Sequence, residues 1–399
     1  MKKLYYRTFQ ASMRMGSRFL KWRTPELLKG PDSILLLSNI LKDLSLEKVL
    51  IVTDPGIMKL GLLEPLCAKL DQTDILYFIY GKTIPNPTID NIEEALALYT
   101  EQECEGIIAF GGGSVMDCAK GVGARIAQPT LSIPQMRGLF KVKKEIPPLF
   151  AVPTTAGTGS EGTVAAVLSN PVTHEKYAVN DLSLIPKYAV LDPCLTIGLP
   201  PHITAQTGMD ALTHAVEAYI GKSNTKETEG YSKHAVALIF KYLFIAYEHG
   251  DNLDARTKML QASYFAGLAF TRAYVGNIHA IAHTLGGFYS VPHGLANAVI
   301  LPHVLEYYGQ SVHQRLAELA DLVGITKEQD SIEKKANAFI HEIKQLNKKM
   351  QIPNTIEGIQ EKDIPVMIDR AYEEANPLYP VPKIFSKDDF LVLYNLITP

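Results

Sequence analysis

Three of the eleven histidines, His279, His283 and His293, fall within fifteen positions of one another, a density that points to a metal ion or to proton transfer. His279 and His283 are four apart and share one face of a predicted helix. Pro292 predicts the end of that helix and places His293 at the start of the next element. Upstream, Asp210 and His214 have the same spacing on a helix whose apolar stripe is Ala211, Leu212, Ala215, Val216 and Tyr219. One carboxylate with imidazole nitrogens is a donor set for Fe(II), Zn(II) or another first-row divalent ion, and it offers no thiolate. An Asp and a His at this spacing are also an ordinary surface pair, so the dyad takes its meaning from the histidine cluster. The scattered His174, His202, His234, His249, His303, His313 and His341 read as surface or packing residues.

A second kind of chemistry is signalled by glycine. Gly111, Gly112, Gly113 and Ser114 follow a predicted strand and open a predicted helix, where bare backbone N–H groups converge on an anion. The hydroxyl-rich run Thr154 to Glu161 follows another strand and suits a pyrophosphate or a ribose. Asp54 ends the strand Val49 to Thr53, where a carboxylate accepts two ribose hydroxyls and repels a 2'-phosphate, which favours NAD over NADP. Standing before Pro55 and Gly56, Asp54 is equally suited to cap a helix.

The elements that carry these residues divide the chain. Val49 to Thr53, Ile75 to Ile79, Ile107 to Phe110 and Leu149 to Val152 have the composition of strands buried on both faces. They alternate with helical patterns over Ile57 to Leu70, Ile89 to Tyr99 and Val115 to Ala127, the order of a doubly wound parallel sheet. After Pro200 and Pro201 the pattern is helical throughout: His202 to Tyr219, Glu229 to His249, Ala255 to Phe270, His313 to Val323 and Ser331 to Lys349. The expected fold class is α/β plus all-α, with a Rossmann-like dinucleotide-binding domain at 1–199 and a helical metal-binding domain at 200–399.

Composition narrows the partners. The 399 residues carry 39 Lys and Arg against 42 Asp and Glu, a net charge of -3, which provides no field for nucleic acid or an anionic membrane. No stretch approaches the roughly 18 apolar residues of a membrane span. Cys67, Cys104, Cys118 and Cys194 form no disulfide framework and no CxxC pair, which fits a reducing, cytoplasmic setting. The N-terminus is locally basic: Lys2, Lys3, Arg7, Arg14, Arg18, Lys21 and Arg23 precede the first acid, Glu26. An organelle transit peptide has this character, but a basic surface extension is the reading adopted.

Four motifs make the chain resemble the iron-containing (group III) alcohol dehydrogenases: GGGSVMDCAK at 111–120, PTTAGTGSE at 153–161, TGMDALTHAVEAY at 207–219 and HAIAHTLGGFYSVPHGLANA at 279–298. The resemblance runs from about residue 33 to the end. It implies an active site in the cleft between the two domains, with Asp210, His214, His279 and His293 as metal ligands and His283 beside the nicotinamide. It also implies cofactor contacts from Asp54, Gly111, Gly112, Gly113, Ser114, Asp117, Thr154, Thr155, Thr158 and Lys176. The implied activity is NAD-linked, metal-dependent oxidation of small primary alcohols or diols and reduction of the aldehydes, with Fe(II) or Zn(II) as Lewis acid and His283 as proton relay. A homo-oligomer built on dimers is implied as well. The alternatives are a glycerol dehydrogenase-like or dehydroquinate synthase-like enzyme, or a catalytically silent metal- and nucleotide-binding sensor. Lys29-Gly30-Pro31-Asp32 departs from the aromatic and paired glycines with which the family enters its first strand. Ala165 replaces the Asn of lactaldehyde-type members, implying a less polar pocket to which Phe270 contributes.

Overall fold

The computed structural model describes residues 1–170 and 175–399; His174 lies outside them. The chain forms two compact units, one of Lys21–Gly198 and one of Leu199–Pro399 together with Met1–Leu20. The division expected at 1–199 therefore needs correction at its start. The basic N-terminal stretch, expected as a surface extension, is a largely exposed helix, Lys2–Ser17, counted with the helical unit.

The α/β unit contains strands β1 (Glu26–Lys29), β2 (Lys48–Val52), β3 (Leu76–Tyr80), β4 (Gly106–Gly111), β5 (Gly138–Leu139), β6 (Leu149–Pro153), β7 (Ala165–Asn170), β8 (Glu175–Asn180) and β9 (Tyr188–Leu191). Six of them form a parallel sheet in the order β1-β9-β6-β4-β2-β3. Alternate residues serve opposite cores: Leu50, Val52, Ile107 and Ala109 pack on one face, Val49, Ile51, Ile108 and Phe110 on the other. That double burial is why these strands read as continuous apolar runs. β3 lies on one side of β2 and β4 on the other, so the winding reverses between β2 and β4. Loops leaving β2, β4 and β6 stand side by side at the carboxyl ends of adjacent strands, the place where open α/β sheets take ligands.

One expectation needs correction in detail. The helix expected over Ile57 to Leu70 is two helices, Pro55–Lys59 and Glu64–Asp71. Gly61 between them takes φ +67, and Pro65 in the first turn of the second cannot supply the N–H that a continuous helix needs. The small sheet β5-β8-β7 was not anticipated. By contrast β1 pairs with β9 in spite of the unusual Lys29-Gly30-Pro31-Asp32, because Gly30 turns the chain out of the strand at φ +108.

The helical unit is organised about Pro201–Ile220, whose residues from Gly208 to Ile220 are all buried. A Cβ on Gly208 would lie 2.2 Å from Leu243 Cδ1, so the helix Lys226–Glu248 packs closely against this position. Asn277–Tyr289 and His293–Tyr308 follow, with Pro292 at the N-cap of the second, as its sequence position indicates. Among the described residues, no helix is long and apolar enough to cross a membrane.

Candidate metal centre and active site

Asp210 and His214 project from Pro201–Ile220, His279 from Asn277–Tyr289, and His293 from the first position of His293–Tyr308. Each offers one ligand atom, and the four atoms lie within 4.8 Å of one another. Asp210 Oδ1 is 3.6 Å from His293 Nε2 and 4.0 Å from His279 Nε2. Asp210, His214 and His279 are buried, and the rings of His214 and His279 stack with centroids 4.5 Å apart. Phe270 stacks on the far face of His214 at 4.3 Å. Burial, reinforced by the neighbouring His214, His293 and His283, drives the His279 pKa well below the ordinary imidazole value, so the ring is neutral and keeps a lone pair.

Two further side chains complete the cage. Glu217 is wholly enclosed; its Oε2 lies 2.6 Å from His279 Nδ1 and accepts the Gly276 N–H, while Oε1 accepts the Ile278 N–H. With Nδ1–H directed at this carboxyl group, His279 Nε2 is left facing Asp210, the second-sphere arrangement typical of metal-binding histidines. Asn297, one turn beyond His293, donates through Nδ2 to Asp210 Oδ1 at 2.6 Å and lies 3.2 Å from both His279 Nε2 and His293 Nε2. An amide nitrogen has two protons for these three acceptors, and the Asn297 carbonyl oxygen is buried without a hydrogen-bond partner. A divalent cation supplies the positive charge that this crowd of acceptors lacks, and the Asp/His donor set fits a first-row ion. Backbone contact fixes the geometry: a Cβ on Gly294 would lie 2.3 Å from the Gln206 carbonyl oxygen.

His283 stands beside this cluster. Its ring stacks on His293 at 5.1 Å and meets His279 edge-on at 5.9 Å. Its Nδ1 is 2.6 Å from Glu374 Oε1, which also accepts the Tyr379 hydroxyl at 2.8 Å.

In the α/β unit, Asp54, Gly111 to Ser114, Thr154, Thr155 and Thr158 lie at or just beyond the carboxyl ends of β2, β4 and β6, whereas Asp117 lies within the helix Gly113–Ala127 and Lys176 on β8. Gly112 is the N-cap of the helix Gly113–Ala127, with Gly113 and Ser114 in its first turn. A Cβ on Gly113 would come within 2.6 Å of Thr158 Cγ2, and one on Gly112 within 3.5 Å of Thr155 Oγ1, so the two loops touch. Thr154 is buried and donates its N–H to the Gly111 carbonyl at 3.1 Å. Asp54 caps the helix Pro55–Lys59, Oδ1 accepting from Gly56 and Ile57 at 2.8 and 3.0 Å. Lys176, on β8, donates to Asn86 Oδ1 at 2.6 Å. Behind the loops Lys120 is completely buried, its three ammonium N–H groups shared among five acceptors, Ser160 O and Oγ, Thr163 O and Oγ1, and Ala165 O. Burial pushes the nearby Asp117 and Glu161 carboxyls up and the Lys120 ammonium down.

Glu217, Asn297, Glu374 and Lys120 were missed from the sequence. Glu217 was within reach, because Asp210, His214 and Glu217 follow the i, i+4, i+7 spacing of one helical face; Asn297 likewise lies four residues after His293. Glu374, 91 residues from His283, gave no local signal.

Comparison with known proteins gives the same picture. Residues 24–193 match the family model for iron-containing alcohol dehydrogenase, and residues 204–397 match that for the C-terminal part of the Fe-containing alcohol dehydrogenase family. Alcohol dehydrogenase 4 of Schizosaccharomyces pombe is 39% identical over 342 residues, covering 84% of this chain and 79% of its own. A solved 1,3-propanediol oxidoreductase superimposes with a TM-score of 0.91 at 35% identity, covering 95% of this chain and 99% of its own. The sulfoacetaldehyde reductase of Bifidobacterium kashiwanohense, solved in complex with NAD+, does so with a TM-score of 0.82 at 28% identity, covering 95% and 98%. Matched in both units and along nearly its whole length, the chain belongs to the iron-containing alcohol dehydrogenase family and is an enzyme of alcohol oxidation and aldehyde reduction.

Proposed function

We propose that this enzyme is an NAD-linked, metal-dependent dehydrogenase of small primary alcohols or diols, with Asp210, His214, His279 and His293 as the metal ligands. The convergence of those four side chains within 4.8 Å carries the reading. A divalent ion held there, Fe(II) or Zn(II), supplies Lewis acidity toward an alcohol or carbonyl oxygen. Around it the chain's own residues divide the work. Glu217 fixes the His279 ring, and Phe270 covers the outer face of His214 and narrows the room beside it. His283, its Nδ1 held by Glu374, keeps Nε2 for exchanging the alcohol proton with water. The NAD+ complex of a structural relative supports NAD as the cofactor, and we assign it to Asp54, Gly111 to Ser114, Asp117, Thr154, Thr155, Thr158 and Lys176. Four thiols without a disulfide support a cytoplasmic setting, and a dimer-based homo-oligomer is part of the same proposal.

The direct test is to strip metal with a chelator, restore Fe(II) or Zn(II), and follow reduced cofactor with ethanol, butanol, 1,3-propanediol and 1,2-propanediol. Absorbance that returns only with metal supports the reading. A protein that binds both metal and NAD yet oxidises none of these alcohols would be the sensor.

Metal loading should also release protons. In the metal-free protein burial pushes Glu217 up to about 8, so its carboxyl group is mostly protonated at pH 7. A cation on the far side of His279 favours the carboxylate, so binding at pH 7 should expel up to about one proton and the release should fade above pH 8. Titrating Zn(II) into the metal-free chain in buffers of different ionisation enthalpy measures this. A heat independent of buffer would contradict it.

Cofactor choice has its own variant. Asp54→Ser keeps a capping oxygen for Gly56 and Ile57 and removes only the charge, so stability should hold within about 0.5 kcal/mol. The ratio of kcat/KM for NADP to that for NAD should rise by about tenfold or more. An unchanged ratio removes Asp54 from the ribose site.

A further inference from the structure

The N-terminal helix has no place in the chemistry above, yet two of its side chains, Arg7 and Gln10, converge on one short segment. Residues 376–382 read Asn-Pro-Leu-Tyr-Pro-Val-Pro, and the three prolines have no N–H with which to join a helix or sheet. The carbonyls of such a segment need donors from elsewhere. The Lys222 N–H serves Pro380 O at 2.7 Å, and the helix Lys2–Ser17 serves four others: Gln10 Nε2 donates to Pro377 O at 3.0 Å and Tyr379 O at 2.8 Å, and Arg7 donates to Val381 O at 2.8 Å and Pro382 O at 3.1 Å. Arg7 also holds Gln10 Oε1 at 2.9 Å, and Gln10 is only 5% exposed. The same segment carries Tyr379, whose hydroxyl donates to the Glu374 oxygen that faces His283 Nδ1.

We infer that the N-terminal helix is a working part of the active-site support: Gln10 and Arg7 are positioning residues that hold segment 376–382 and, through Tyr379, set the Glu374 carboxylate that orients His283. The inference rests on the reading of His283 given above. Gln10 and Arg7 touch no reacting group. What reaches the centre is a chain of three hydrogen bonds: Gln10 to the Tyr379 backbone, the Tyr379 hydroxyl to Glu374, and Glu374 to the imidazole. Each link constrains the next, because the Glu374 Oε1 that meets the imidazole also accepts the Tyr379 hydroxyl, which fixes where that oxygen stands.

The test is a double-mutant cycle in the full chain at one equivalent of metal. Gln10→Leu keeps the volume and removes both donors; it should lower kcat about fivefold, leave KM for NAD and metal content unchanged, and quicken hydrogen exchange in 376–382. Glu374→Gln should lower kcat about tenfold or more. In the Glu374→Gln background, Gln10→Leu should cost less than about twofold further, because the path it acts through is already cut. The same factor in both backgrounds, or faster exchange with an unchanged rate, overturns the inference. Should Gln10→Leu not fold, Tyr379→Phe removes one hydroxyl and must show the same non-additivity with Glu374→Gln; additive losses overturn it equally. His283→Ala is run in parallel. A wild-type rate there defeats the reading of His283 and this inference with it, whereas a large loss there with additive Gln10→Leu and Glu374→Gln defeats this inference alone.

Discussion

His279→Ala is expected to strip the chain of bound metal and to lower kcat by at least about a thousandfold. This ring meets those of His214, His283 and His293 and takes the Glu217 carboxyl group at Nδ1. Its removal deletes a ligand, leaves Glu217 without its imidazole partner, and opens a void where the side chain is only 2% exposed. Elemental analysis after dialysis against excess metal, together with the rate of cofactor reduction, reads both effects. Metal retained at one equivalent with a normal rate would defeat the ligand assignment. Glu217→Gln is a graded companion: it keeps the shape, so the loss of affinity should be about 10- to 100-fold, seen in competition with a chelator.

The second large effect concerns stability in the other unit. Lys120→Met should cost about 3–5 kcal/mol, because a buried cation with several acceptors is replaced by a side chain that satisfies none of them. Three backbone carbonyls, of Ser160, Thr163 and Ala165, would lose this donor. Asp117 and Glu161, whose carboxyls burial already pushes up, would lose the nearby positive charge. Since those carbonyls flank the hydroxyl-rich loop, the affinity for NAD should fall along with the urea midpoint. A loss under about 1 kcal/mol would mean that the ammonium group organises nothing.

How far the sequence could be read depended on the range of the interactions. Val49, Leu50, Ile51 and Val52 are enclosed on both faces, so a run of apolar residues announced the strand. Asp210 with His214, and His293 with Pro292, carry their meaning within a few positions. The first residues gave no sign of docking because a basic helix is locally indistinguishable from a solvated arm; what docks it is Gln10 and Arg7 reaching carbonyls beyond residue 376. Glu374 is invisible for the same reason. The single helix expected over Ile57 to Leu70 failed on a local cause, the positive φ of Gly61, which periodicity does not register.

Gly294 has a consequence for which ions the site accepts. Because the Gln206 carbonyl occupies the space where any side chain at 294 would go, the segments bearing Asp210 and His293 meet as two backbones without cushioning. Such a joint cannot absorb a change of ion size by switching side-chain rotamers, since backbone atoms in contact have none to exchange. Discrimination among cations then comes from bond length and preferred polyhedron rather than from net charge. Calcium, which asks for longer bonds and more oxygens, should be turned away even at high concentration.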